Sequence, residues 1–305
     1  MKEVTIRVPA TSANLGSAFD SAGIALNLYN YVSATRTEKG LNIIDVKNPE
    51  SHLPKDKTNL VYQAINTVAK NSGNRIDGLE IKLLNNIPSS RGLGSSSAAI
   101  VGGLMAGNAL CDYPFTKKQL LYFAAELEGH ADNVTPALYG GFTVSVTKSK
   151  IVRFIKNDLK DDIKFAVFVP DFFLRTKRSR MLLPRIIPFR DAVFNTGRSA
   201  LLAASLISGD YTNLKTAVSD RLHQNYRKKL IPGFEDIFRL AYRCGALGVY
   251  LSGAGPSILA IVKSDNLDFN AKISGVLNKK HIHWQLQMLN ADNEGATEVN
   301  KLEVL

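Results

Sequence analysis

The sequence predicts an α+β fold in two parts. Stretches with period-two alternation and stretches with helical spacing occur in both halves of the chain. They do not follow the regular strand–helix alternation of a doubly wound parallel sheet. Charge and polarity rise between Thr147 and Lys164, around Lys156-Asn157-Asp158 and Lys160-Asp161-Asp162, which places a boundary there and gives parts 1–155 and 156–305. With 305 residues and 45% hydrophobic content, the chain can fill a sizeable core.

Taken in order, Val4, Ile6 and Val8 alternate with Thr5 and Arg7 and predict a strand ending at Pro9. Pro9 to Asp20 reads as a loop of small and polar residues. Strands follow at 28–35 and 41–46. Leu60, Val61, Ala64, Ile65 and Val68 share one face at helical spacing. Leu79 to Leu84 is a strand and Ala98 to Leu110 a buried helix rich in small residues. Thr116 to Glu128 is helical, with Thr116 as N-cap and Leu120, Leu121, Ala124 and Leu127 on one side. Gly140-Gly141 ends a short helix, and 142–146 returns as a strand. The second part opens with the apolar strand 165–169. Helices are expected at 192–207, 233–242 and 270–277, and strands at 247–251, 258–262 and 283–288.

The segment joining the 79–84 strand to the buried helix holds the strongest chemical signal: Pro88-Ser89-Ser90-Arg91-Gly92-Leu93-Gly94-Ser95-Ser96-Ser97-Ala98. Gly92 and Gly94 permit backbone angles that a Cβ forbids and let a ligand approach the main chain. The three serines sit where a helix begins, so its unpaired N–H groups and dipole favour an anion there. Their hydroxyls add donors to phosphate and oxygen ligands to Mg²⁺. The same residues could serve only as a turn and a helix cap. Neither a Walker loop nor a dinucleotide fingerprint is present, because no Gly-Lys-Ser/Thr follows and Ser97 stands at the third glycine position.

The net charge of +11 suits either nucleic acid or an anionic small substrate. The basic stretch from Arg175 to Arg198 is interleaved with Leu182, Leu183, Ile186, Ile187 and Phe189 and offers no aromatic stacking platform, which disfavours nucleic acid. The longest apolar candidate, 98–110, is too short to span a bilayer, and the first residues lack the basic and apolar regions of a signal peptide. Two distant cysteines, Cys111 and Cys244, fit a cytoplasmic protein without disulfides or a zinc site.

Three regions in order, Pro9-Ala10-Thr11-Ser12-Ala13-Asn14-Leu15-Gly16, the 88–98 loop and Leu251-Ser252-Gly253-Ala254-Gly255-Pro256-Ser257, resemble the motifs of the GHMP kinases. Phe19-Asp20-Ser21, the stretch Glu128-Gly129-His130-Ala131-Asp132-Asn133-Val134, Val169-Pro170-Asp171, 192–195 and Asp220-Arg221-Leu222-His223-Gln224-Asn225-Tyr226-Arg227 resemble the homoserine kinases among them. The resemblance covers essentially the whole chain. It implies an N-terminal half like ribosomal protein S5 domain 2, a ferredoxin-like C-terminal half, ATP and Mg²⁺ as cofactors, a homodimer, and phosphorylation of L-homoserine on its side-chain hydroxyl in threonine biosynthesis. A mevalonate-type GHMP kinase is the nearest rival, but its substrate has no ammonium.

Homoserine is a zwitterion with a hydroxyl. Asp20 is a candidate for its ammonium, and Arg180 and Arg227 for its carboxylate, which a guanidinium grips with two parallel bonds. The resemblance implies that Asn14, His130 and Asn133 also line the amino-acid pocket, and that Gly253 and Gly255 close a loop over it, although a tight turn is the plainer reading of that loop. Mg²⁺ calls for a hydroxyl and a carboxylate: Ser95 or Ser96, and Glu126 or Glu128, which a helix points in different directions. Glu126 is the expected ligand. Asp132, with Asn14 and Asn133 beside the reacting groups, is either a base or an orienting group. The chain departs from the family pattern at Ser17 and Ala18, which replace proline and glycine and predict a less rigid loop. It also departs at Arg175, where relatives carry a small hydroxyl residue, and at Asn225, where proline is common.

Overall fold

In the computed structural model, which describes residues 2–48, 53–279 and 284–300, two sheets carry the architecture. The first begins with β1 (Glu3–Ala13), β2 (Ala22–Thr37) and β3 (Gly40–Asp45). Helix α1 (Leu60–Asn71), β4 (Gly78–Leu84), α2 (Ser95–Leu110), α3 (Lys117–Glu128) and α4 (Val134–Tyr139) follow, and the hairpin of β5 (Phe142–Lys148) and β6 (Ile151–Asn157) returns to the sheet. The second sheet is built from β7 (Ile163–Pro170), β8 (Gly248–Leu251), β9 (Ile258–Lys263) and β10 (Trp284–Leu289). Between β7 and β8 run α5 (Thr176–Met181), α6 (Phe189–Ser208), α7 (Leu214–Ala217), α8 (Gln224–Arg227) and α9 (Phe234–Arg243); α10 (Phe269–Lys279) precedes β10. Strand β11 (Thr297–Val299) then pairs with β1.

The first sheet has the order β11-β1-β2-β4-β3, with β5 also on β2. Only β3 and β4 are parallel among its pairs, so no βαβ crossover series forms. Helix α2 lies between this sheet and α1, and its glycines explain how. A Cβ on Gly102 would press on Val32, one on Gly103 on Val61 and Ala64, and one on Gly107 on Ile65. Small residues therefore let α2 approach both neighbours, at a cost in intrinsic helix propensity that close packing offsets. The second sheet has the order β10-β7-β9-β8, the 4-1-3-2 arrangement of a ferredoxin-like unit. Ile237, Leu240 and Ala241 of α9 and Ile273 and Leu277 of α10 pack with Phe168, Leu251 and Ile258 of this sheet.

Several boundaries differ from the sequence reading. β1 does not stop at Pro9: a register shift at Pro9/Ala10 absorbs the missing N–H, and the strand continues to Ala13. β6 occupies the polar stretch read as the boundary between the two parts. Among the described residues it pairs only with β5, and its alternating exposure leaves Ile151, Arg153 and Ile155 in solvent. The 155/156 division falls inside β6, and β11 belongs to the first sheet although it lies late in the chain. α5, α7, α8 and β11 are too short to carry a periodic signal. Of the 283–288 strand, His283 lies outside the described residues.

Candidate functional site

The loop between β4 and α2 borders a polar cleft of about 140 Å³. Pro88, Ser90, Arg91, Gly92, Leu93, Gly94, Ser95 and Ser96 line it. Gly94 is the N-cap of α2 at φ 70 and brings no side chain to the helix end. A Cβ there would overlap Thr11 Oγ1, and one on Gly92 would meet the Ser252 carbonyl. Both glycines are thus fixed by conformation and by close approach. The first amides of α2 have no side-chain cap, and the helix end faces a cleft lined by two of its serines.

The loop is clamped from the second half of the chain. Ser252 Oγ donates to Gly92 O at 2.6 Å, Ser257 N to Arg91 O at 3.2 Å, and Leu174 N to Ser90 O at 3.1 Å. Arg91 directs Nε to Pro170 O and Nη2 to Asp171 O, both at 3.1 Å, so its guanidinium braces the loop rather than reaching across the cleft. Ser97, Ala98 and Ser89 leave the expected set. Ala98 is buried in the core, Ser97 is buried with its hydroxyl on Glu128, and Ser89 faces a neighbouring cavity.

Glu128 ends α3. It accepts from Ser96 Oγ at 2.8 Å and Ser97 Oγ at 2.9 Å. Glu126 is exposed and accepts from Tyr122. The carboxylate beside the serines is therefore Glu128, not Glu126. The helical phase explains this: Leu121, Ala124 and Glu128 lie on the buried face of α3, whereas two residues back points outward. That phase was readable from Leu120, Leu121 and Ala124.

Beyond Glu128 the cleft turns to side-chain charge. His130 Nδ1 lies 2.6 Å from Asp132 Oδ1. Burial opposes the charged imidazole, but the Asp132 carboxylate, with Glu128 and Asp20, outweighs it and raises the His130 pKa. Asn133 Nδ2 donates to the same Asp132 oxygen at 3.3 Å, and its Oδ1 accepts from Thr11 Oγ1 at 2.8 Å. Asn14, at φ 70, uses Nδ2 on Gly253 O (2.9 Å) and Oδ1 on the Asp20 amide (2.8 Å). It ties two loops together while bordering the cleft.

Asp20 and the two arginines converge, as the sequence suggested, but not with free hands. Arg180 Nη2 donates to Asp20 Oδ1 at 2.8 Å, so two charges expected to hold opposite ends of a ligand hold each other. Arg227 is 1% exposed. Its Nη1 donates to Gly253 O at 2.9 Å and lies 3.1 Å from His223 Nδ1. Among the described residues its Nε is buried without a partner and no bond uses Nη2. Burial, with Arg180 nearby, pulls its pKa down to about 10. One whole edge of a buried cation therefore waits for an anion. Phe19 lies against both guanidiniums, 5.3 Å from Arg227 Cζ and 5.7 Å from Arg180 Cζ.

Gly253 lines the cleft but Gly255 does not: a Cβ there would press on Leu251, and its amide closes a turn on Ser252 O. Ala254 and Thr176 line the cleft and were missed. Thr176 brings a hydroxyl residue to the cleft, and Arg175 is exposed one residue earlier. The loop at Ser17 is anchored rather than loose, because its carbonyl accepts from Asn195 Nδ2 at 3.0 Å and Ser199 Oγ at 2.6 Å.

A second cavity, about 300 Å³, shares Ser90, Ser95 and Ser96 with the first. Val32, Leu53, Pro54, Leu60, Val61 and Ala99 make its walls mostly apolar. Asn85 borders it, with a buried Nδ2 that lacks a partner among the described residues. These residues come from four separate segments, so no single stretch of sequence announced the cavity.

Residues 59–141 match the GHMP kinases N terminal domain, and residues 202–272 the GHMP kinases C terminal domain. The chain is 46% identical over 296 residues to a homoserine kinase of Caldicellulosiruptor bescii, covering 96% of each. It is 44% identical over 295 residues to a homoserine kinase of Clostridium beijerinckii, covering 96% of this chain and 98% of that one. The crystal structure of homoserine kinase from Cytophaga hutchinsonii superposes with a TM-score of 0.88 at 31% identity, covering 98% of each chain. With these likenesses and the cleft in view, the chain belongs to the homoserine kinases of the GHMP kinase family.

Proposed function

We propose that the chain transfers the γ-phosphoryl group of ATP to the side-chain hydroxyl of L-homoserine, giving O-phospho-L-homoserine and ADP. The observation that carries this reading is the unpaired Nε/Nη2 edge of Arg227, in the same cleft as Asp20 and the open end of α2. The substrate carboxylate takes the Arg227 edge. Its ammonium takes Asp20, which exchanges part of its contact with Arg180 for the new cation. Arg180 is then released toward the carboxylate.

The apolar cavity takes adenine, with Asn85 Nδ2 as donor to a ring nitrogen. The triphosphate runs past Ser90, Ser95 and Ser96, the residues common to both cavities, to the amides of α2. Ser96 and Glu128 form the hydroxyl–carboxylate pair that suits Mg²⁺, which neutralises charge on the β- and γ-phosphates when bound. Phosphoryl transfer needs alignment more than covalent help. Asp132 has one oxygen on His130 and Asn133, and the other aligns the substrate hydroxyl. Asn14 and Asn133 hold the loops on either side. The hydroxyl oxygen bonds to the γ-phosphorus as the bond to the β-phosphate oxygen breaks, and its proton leaves with the phosphorylated product.

The same reading divides the chain into a nucleotide part, 1–155, and a second part, 156–305, that brings Arg180 and Arg227. It makes the protein a cytoplasmic homodimer in threonine biosynthesis; the scarcity of cysteine and the use of ATP support the compartment. An ATP-coupled assay over L-homoserine, mevalonate and substrate-free controls tests the activity. Homoserine alone should sustain turnover, and turnover with mevalonate instead would overturn the reading. Sedimentation velocity tests the dimer.

A further inference from the structure

We propose that His223 is a positioning residue: a neutral imidazole that fixes the plane of the Arg227 guanidinium and so aims its free edge at the substrate. The inference rests on the reading above that Arg227 takes the substrate carboxylate.

His223 is fully buried; it stands within the 220–227 motif, but the sequence reading gave it no role in the site. Its Nε2 lies 2.8 Å from Gly16 O. A carbonyl oxygen only accepts, so Nε2 carries the proton. Nδ1 then has a lone pair, and Arg227 Nη1, which can only donate, lies 3.1 Å away. The two partners dictate the same tautomer. Burial pulls the pKa of this imidazole below its usual range, against the pull of Asp220, which agrees with a neutral ring.

The arrangement constrains Arg227 in two directions at one nitrogen. Nη1 donates to His223 Nδ1 and to Gly253 O, and these two bonds set the guanidinium plane. Nε and Nη2 are left on the other side. Phe19 stacks on the His223 ring at 5.2 Å and also lies against the Arg227 cation, so one ring holds both groups. The segment is itself fixed: the Asp220 carboxylate accepts from the amides of Leu222, His223 and Gln224. His223 and Arg227 are four residues apart on one short helical turn, which brings their side chains together. Without the imidazole acceptor, the guanidinium can swing about its single remaining anchor, and the two-bond grip on a carboxylate is lost.

Two substitutions separate this role from packing. In His223→Asn the side-chain oxygen stands near the Nδ1 position and can accept from Arg227. In His223→Gln the amide reaches Gly16 O but leaves Nη1 without its acceptor. Steady-state kinetics should show that His223→Gln raises KM for homoserine by about 10- to 100-fold, leaves KM for ATP near the wild-type value, and that His223→Asn recovers most of the loss. Homoserine amide, in which a neutral carboxamide replaces the carboxylate, closes the cycle. The wild type should favour homoserine over the amide, and the His223→Gln penalty should vanish on the amide. If the wild type does not discriminate, the carboxylate assignment of Arg227 fails and the proposal falls with it. If it does discriminate, but the penalty is equal on both substrates or His223→Asn gives no recovery, the positioning role alone fails. A measurement on the wild type needs no variant to fold: nitrogen-15 NMR at neutral pH should report a neutral His223 protonated at Nε2. An Nδ1–H tautomer or an imidazolium there would overturn the proposal.

Discussion

The two cavities on either side of the α2 end are built by opposite means. The larger is walled by Val32, Leu53, Leu60 and Val61 and offers one orphan donor, Asn85 Nδ2. The smaller is lined by Asp20, Glu128, His130, Asp132, Arg180 and Arg227. Apolar walls are insensitive to small rotations, so the first cavity needs little bracing. A charge pair or a bidentate grip depends steeply on geometry, and almost every charged group of the second has a neighbour that fixes it. On the function proposed above, the contrast teaches that adenine would be recognised by shape, and the amino acid by buried scaffolding around each charge.

The sharpest way to break the comparison is at the shared wall. Gly94→Val combines a β-branched residue at φ 70 with an overlap on Thr11, and should abolish ATP binding in calorimetry while circular dichroism retains the native helix signal. Nucleotide binding by that variant would show that the helix end is not the phosphate site. Next, Arg227→Ala should lower kcat/KM for homoserine by roughly 2–5 kcal/mol, on the order of 30- to 4,000-fold. Arg180→Ala, at the partly exposed rim, should cost only about tenfold. Equal losses would remove the distinction between buried and rim cations.

The metal side gives an intermediate effect. Glu128→Gln should raise the Mg²⁺ concentration for half-maximal rate by about tenfold, whereas Glu126→Gln should leave it unchanged; the reverse result would restore the exposed carboxylate as the ligand. On the apolar side, Asn85→Ala should weaken ATP by about 0.5–1.5 kcal/mol and leave KM for homoserine alone. The smallest effect is on stability. The folded-state pKa of His130 is raised above its ordinary 6.5, so its contribution is fully present below that value and fades as pH rises through the raised pKa. Urea midpoints should fall over that interval, and His130→Gln should flatten the fall. An unchanged slope would mean that folding leaves the pKa of this imidazole where it was.

The cleft-bordering loop ahead of α2 was legible because its signal is local: two glycines, three serines and a helix start lie within a few residues. The same holds for α3, whose Thr116 and Gln119 form a reciprocal cap that the sequence displays. The amino-acid end was legible only as separate charges. Nothing local says that Asp20 meets Arg180 or that Gly16 supplies the acceptor for His223, since those pairings span much of the chain. That Glu128 rather than Glu126 stands beside the serines was not read from the sequence, although the phase of α3 contained it. The apolar cavity was missed because its walls come from ordinary core residues whose neighbours leave a gap.

The pairing of β1 with β11 has a consequence for how the chain is made. Thr5 lies opposite Val299, and Arg7 reaches Glu294. A ribosome releases the first partner long before the second exists, so one margin of β1 stays open while every element between them is made. The nascent chain must carry that bare margin past every intervening segment, and the first sheet becomes complete only when β11 has been made.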